Sequence, residues 1–261
     1  MNKTFILIGE PSFDWITLQI RRKRKLLYMA NEDPKDYEWA IINEIIFESS
    51  EKDFLAKEYY LNKDYGVYCK KTPEKIEIQF KGRYFLTNQA IPKIKSLVKH
   101  YREKKIEYDQ TRVDIKVQYK NKRLVPYKKL PLTSFSKKTD EIPIRINVNN
   151  PDKNKGYKLF NTQFQLKFYD KTQQILAKKL EALYPDEYKN EKDPIYRMEL
   201  KLEKELKIDL ERPEKEICIK LLNEFYEKHK PERKNKIMME LFFYKETKGG
   251  DTDEKSNSTS E

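Results

Sequence analysis

The stretch Gln163-Phe164-Gln165-Leu166-Lys167-Phe168-Tyr169-Asp170-Lys171 decides how this chain is read, because its apolar residues recur at every second position. That alternation predicts a strand with Phe164, Leu166 and Phe168 on one face and Gln163, Gln165, Lys167 and Tyr169 on the other. Tyr169 is thus placed on the wet side. Thr111 to Tyr119 alternates in the same way, with Val113, Ile115, Val117 and Tyr119 inward and Arg112, Asp114, Lys116 and Gln118 outward. In Ile195 to Leu202 the apolar side is Tyr196, Met198, Leu200 and Leu202, which leaves Glu199 and Arg197 on the polar side. If the three strands share one sheet, a tyrosine, two carboxylates and Lys171 converge on one surface. Such a set is suited to metal-assisted covalent attack on a phosphodiester.

Further strands are predicted at Thr4 to Ile8, Trp15 to Ile20, Tyr65 to Cys69, Ile76 to Phe80 and Ile142 to Val148. Helices are predicted at Lys35 to Glu48, Pro92 to Glu103, Thr172 to Leu183 and Glu214 to Lys228. Each has apolar residues at helical spacing, such as Ile94, Leu97, Val98 and Tyr101 in the second. In the third, Ile175, Leu176, Leu180 and Leu183 form the packing side. The order of elements predicts an α+β fold, an antiparallel-rich central sheet with helices on its apolar face. Residues 1–245 read as one domain and 246–261 as a disordered polar tail.

At 261 residues, 38% hydrophobic and 13% aromatic, the chain has enough apolar material for a core. Its net charge is +12, and the tail from Gly249 carries −3, which leaves +15 on the rest. A polyanionic partner follows from that balance, although a composition bias of the host would produce it too. The run Arg21-Arg22-Lys23-Arg24-Lys25 and the Lys-rich excursion over residues 120–156 would grip phosphates, or form solvated turns. Cys69 and Cys218 lie far apart and show no metal-ligand spacing. No apolar run reaches membrane-spanning length and the N-terminus lacks a secretory pattern, so no membrane and a cytoplasmic location are expected.

Thr111-Arg112-Val113-Asp114, Phe168-Tyr169-Asp170-Lys171 and Tyr196-Arg197-Met198-Glu199-Leu200 together resemble the motifs of rolling-circle replication initiators. The likeness is to the plasmid Rep-trans and filamentous-phage types, a group that includes relaxases of integrative elements. Phe13-Asp14-Trp15 and Phe80-Lys81-Gly82 are similar to the family as well, so the resemblance runs over most of residues 13–210. The Asp114 to Tyr169 separation of 55 fits it.

The resemblance implies that Tyr169 attacks a DNA phosphodiester at a replication origin and stays linked to the 5′ end, leaving a free 3′ hydroxyl. Lys171 would assist, Asp114 and Glu199 with Glu77 would hold Mg²⁺ or Mn²⁺, and Arg112, Arg197, Arg21, Arg22 and Arg24 would contact DNA. Oxygen ligands suit that pair of ions, and the two histidines, His100 and His229, stand singly in predicted helices. Tyr157 in Lys155-Gly156-Tyr157 is a rival nucleophile. The alternative role for Asp114 and Glu199 is ion pairing with Arg112, Arg197 or neighbouring lysines. The implied partner is a single-stranded or hairpin origin, with a host helicase and a homodimer left open. A conjugative relaxase with the same chemistry and a non-catalytic nucleic-acid-binding protein stand as alternatives.

Overall fold

The structure is a computed structural model and describes residues 5–21, 59–62, 66–71, 75–82, 84–86, 90–121, 124, 145–148, 156–160, 164–203, 208–229 and 241. Nine strands among the described residues are β1 Phe5–Arg21, β2 Tyr59–Asn62, β3 Val67–Lys71, β4 Lys75–Lys81, β5 Tyr108–Asn121, β6 Arg145–Val148, β7 Gly156–Phe160, β8 Phe164–Asp170 and β9 Ile195–Glu203. They form one sheet in the order β2-β3-β4-β1-β5-β9-β8-β7-β6, every neighbouring pair antiparallel. The helices are α1 Ala90–Glu103, α2 Lys171–Ala177 and α3 Glu214–His229. The fold is α+β with an antiparallel sheet, as the alternation of the strands predicts.

The three strands that alternate most regularly are the ones the sheet brings together, with β9 between β5 and β8. Their inward residues Val113, Ile115, Phe168, Leu166, Met198 and Leu200 are almost fully buried, in one core with α1 residues Ile94 and Leu97 and α3 residues Ile217 and Leu222. Helices α1 and α3 therefore cover the apolar face, and the opposite face is free to carry polar groups. Among the described residues no helix is long and apolar enough to cross a membrane.

Two predicted elements take another form. The two short strands expected before residue 21 are one strand of 17 residues. The chain absorbs Gly9 and Pro11 within the strand: Gly9 adopts φ +67°, and the register against β5 shifts between Ile8 and Ser12. The helix expected over Thr172 to Leu183 begins one residue earlier and stops at Ala177. Lys179 takes a left-handed conformation, φ +53°, with Leu180 N–H donating to the Ile175 carbonyl and Lys179 N–H to that of Leu176. These two bonds form a Schellman cap, for which the sequence has no glycine to give notice.

The predicted helix Lys35 to Glu48, Arg22 to Lys25, nearly all of the 120–156 excursion and the 246–261 tail lie outside the described residues, as do the side chains of Arg21 and His229.

Candidate active site

On the polar face, β1, β5, β8 and β9 with α2 and the turns after it enclose a cavity of about 320 Å³. Tyr169, Lys171, Asp114, Glu199, Arg112 and Arg197 all line it. Cross-strand register brings the β8 and β9 groups together, with Tyr169 opposite Arg197 and Lys167 opposite Glu199. The Tyr169 hydroxyl donates to Glu199 Oε1. Tyrosine and carboxylate are thus in direct contact, the arrangement that activates a nucleophile.

Arg197 is only 3% exposed and organises the acids around it. Its Nη1 lies 3.2 Å from Asp14 Oδ1 and 3.6 Å from Glu199 Oε1, and its Nη2 donates to Gln118 Oε1 at 2.8 Å. Lys167 Nζ is 3.5 Å from Glu199 Oε2, and Lys116 Nζ is 3.7 Å from Asp14 Oδ1. Buried charges survive only when paired in this way.

Asp14 does not appear among the residues that strand alternation selects. The β1 register slips by one between Phe13 and Trp15, which pair with Ile115 and Asp114, so Asp14 is the extra residue of a bulge. Phe13 and Ile16 stay in the core while both residues between them, Asp14 and Trp15, reach the cavity. Bulges re-aim side chains in this manner. The signal available in the sequence was an acid between two aromatics where the period of two fails. Gly82 also lines the cavity; a Cβ there would stand 3.1 Å from Asp14 Oδ1.

Lys171 arrives by a different route from the one expected. The strand does not continue past Asp170, whose carboxylate instead caps α2 by accepting the Gln173 N–H at 2.9 Å. As the first residue of α2, Lys171 turns into the cavity, donates to Gln174 Oε1 at 2.8 Å and sits 4.8 Å above the Tyr184 ring. Helix α2 therefore serves the polar side of the sheet, not the apolar face, and Leu180 and Leu183 line the cavity.

Burial sets the direction of most shifts here. It raises the Tyr169 phenol well above its ordinary value, and Glu199 and Asp14 add to this against the opposing pull of Arg197. Burial and the Asp14 charge raise Glu199. For Asp14, burial is outweighed by Arg197, Lys116 and Lys171, which hold it below the usual carboxylate range. Burial, with Arg197 beside it, lowers Lys171 to about 7 despite Asp14 and Glu199.

Asp14 and Glu199, which flank Arg197 Nη1 at 3.2 and 3.6 Å, offer the hard oxygen donors that suit Mg²⁺ or Mn²⁺, ions that commonly take one or two carboxylates plus substrate phosphate. Among the described residues no group of three acids, histidines or cysteines stands close enough to form a complete cage. Of the acids expected from sequence to hold an ion, Glu199 lies in the cavity with Asp14 near it. Both oxygens of Asp114 are occupied by Arg112, at 2.8 and 2.6 Å. Glu77, opposite Gln19 and four positions along β4 from Lys81, is bonded to Gln79 and ion-paired with Lys75, outside the cavity. Arg112 and Arg197 are occupied chiefly by carboxylates, the alternative that the sequence left open.

Tyr157, the rival nucleophile, is on the other side of the sheet. Its ring is 5% exposed in the core and stacks on Phe168 at 5.0 Å. Its neighbour Gly156 is opposite Tyr169, and a Cβ there would stand 2.8 Å from the Phe168 carbonyl oxygen and 3.0 Å from Tyr169 Cβ. Gly156→Ala must therefore push β7 from β8 at the tyrosine. A loss of about 1–3 kcal/mol in urea unfolding is expected.

No protein-family model matches the chain, and no curated protein matches it. Among solved structures it is similar to a rolling circle replication initiator protein from Geobacillus stearothermophilus, with a TM-score of 0.42 and 12% identity over 90% of this chain and 92% of that one. A likeness of that degree decides neither family nor activity. What the fold and site define is an antiparallel α+β protein with a buried tyrosine, carboxylate and arginine constellation.

Proposed function

We propose that the chain is a single-strand DNA nickase and joining enzyme that works through a covalent tyrosyl phosphate, the chemistry of rolling-circle replication initiation. The observation that carries this reading is the Tyr169 hydroxyl donating to Glu199 in a cavity ringed by Arg197, Lys167 and Lys171. Tyr169 Oη attacks the phosphorus, its proton passes to Glu199, and the bond from phosphorus to the 3′ oxygen breaks. Lys171, protonated, gives its proton to that oxygen, so the products are a 3′ hydroxyl and a 5′ phosphate on Tyr169. The phosphotyrosine bond keeps the energy needed for rejoining, in which Lys171 takes the proton back. Arg197 fixes the acids and stays charged, since Asp14, Glu199 and Tyr169 outweigh its burial. An Mg²⁺ or Mn²⁺ ion held by Asp14 and Glu199 would neutralise phosphate charge and lower the pKa of the phenol.

The test uses a random-sequence single-stranded oligonucleotide library with Mg²⁺ or Mn²⁺. Adducts that survive denaturation should be recovered, and sequencing them should reveal a shared cleavage site with a polymerase-extendable 3′ end on the released strand. No adduct at any sequence would contradict the reading, and full activity in excess chelator would remove the ion from it.

Lys171 makes the pH dependence specific. Cleavage should fall as pH rises through about 7, where the free protein loses this proton, while Asp14, Glu199, Arg197 and Lys116 act on it as neighbouring charges. Lys171→Ala should slow cleavage roughly 10²- to 10⁴-fold. A bridging 3′-phosphorothiolate, whose thiolate departs without a proton, should restore most of the rate, which a merely structural lysine would not allow.

A further inference from the structure

A row of rings and cations leads away from the cavity across four successive strands. Arg112 of β5 stacks on Trp15 of β1, its guanidinium carbon 3.7 Å from the ring centre. Lys81 of β4, directly opposite Trp15 in register, has its Nζ 5.1 Å from that ring and 5.2 Å from the ring of Tyr68 on β3. Trp15 and Arg112 themselves line the cavity. We infer that this row is the track along which one arm of a single-stranded DNA substrate lies, bases against Tyr68 and Trp15 and phosphates against Lys81 and Arg112; the inference rests on the nickase reading of the cavity.

The length and chemistry both suit that occupant. Three inter-strand steps span roughly 14 Å, about four bases at the ~3.4 Å rise of one strand. Rings interleaved with cations bind unpaired bases with little regard to sequence, and a duplex hides the faces they need. The row is also partly built in advance. Trp15 Nε1 donates to Thr17 Oγ1 at 3.0 Å, which fixes the indole, and Asp114 fixes Arg112. Lys81 is the adjustable member, because one ammonium stands near two rings and a phosphate would draw it off them. Tyr68, Trp15 and Lys81 are all half-buried, so none is sealed in the core.

Trp15 reports on the track directly, since the chain has two tryptophans and Trp39→Phe leaves only this one. Titration of that variant with a short oligothymidylate should quench its fluorescence saturably, and duplex DNA of equal length should not. Tyr68→Ala should weaken binding by about five- to a hundredfold. Lys81→Gln, in the chain with both tryptophans, should lower the slope of log affinity against log salt by about 0.7. Oligothymidylate that binds with no change in Trp15 emission, or with an unchanged slope in Lys81→Gln, overturns the track. Adduct formation at Tyr169 is scored separately in the same protein. An adduct without quenching rejects the track and keeps the nickase, whereas quenching without an adduct keeps the track and rejects the nickase.

Discussion

Tyr169→Phe should abolish strand cleavage, by at least ~10⁴-fold, and leave affinity for single-stranded DNA within about twofold. The change removes one oxygen from a side chain on β8, the strand between β9 and β7. Glu199 loses one hydrogen bond but keeps Arg197 and Lys167. The fold should therefore lose about 1 kcal/mol or less, the ordinary net worth of such a bond. Urea unfolding and oligonucleotide binding, measured beside cleavage, separate a missing nucleophile from a damaged pocket. A Phe variant that still cleaves at more than a hundredth of the wild-type rate would move the chemistry elsewhere.

The second large effect is on stability. Arg197→Met takes one guanidinium from between Asp14, Glu199 and Gln118 and leaves two buried carboxyls without it. Removing one partner of a buried ion pair typically costs 3–5 kcal/mol, so a loss of about that size is expected near pH 7. The pH dependence carries a definite sign. In the native protein Asp14 is held below its ordinary value, which contributes stability above the unfolded carboxyl pKa of about 3.9 and loses it as pH falls. Without Arg197 the folded Asp14 should titrate above its unfolded value, turning that contribution into a penalty at neutral pH that acid relieves. The gap between variant and wild type should narrow from pH 7 to pH 5 in urea titrations, and Asp14→Asn in the Arg197→Met background should recover part of it.

Much of this was written in the alternation of three strands. Val113 to Tyr119, Phe164 to Phe168 and Tyr196 to Leu202 each have one apolar and one polar face, and a period of two leaves only one way to place Asp114, Tyr169 and Glu199. Their meeting in one cavity depends on β9 lying between β5 and β8, a pairing that local periodicity does not encode. The features that escaped are those where the period fails for a structural reason. Asp14 reaches the site through a bulge, one residue before the strand that the sequence predicts to start at Trp15. Lys171 reaches it through a helical turn that Asp170 caps, though an Asp before Lys171-Thr172-Gln173 is itself a start signal. Asp114 and Arg112 lie two apart on one strand face, so their mutual pairing was as readable as either one's approach to an ion or a phosphate.

The most direct measurement is the mass of the peptide that carries DNA. Wild-type protein is incubated with the recovered single-stranded substrate, digested with nuclease and protease, and the nucleotide-bearing peptide is sequenced. The chemistry derived from the cavity predicts a 5′ nucleotide on Tyr169. A nucleotide on Tyr157, or on any residue outside the cavity, would contradict it.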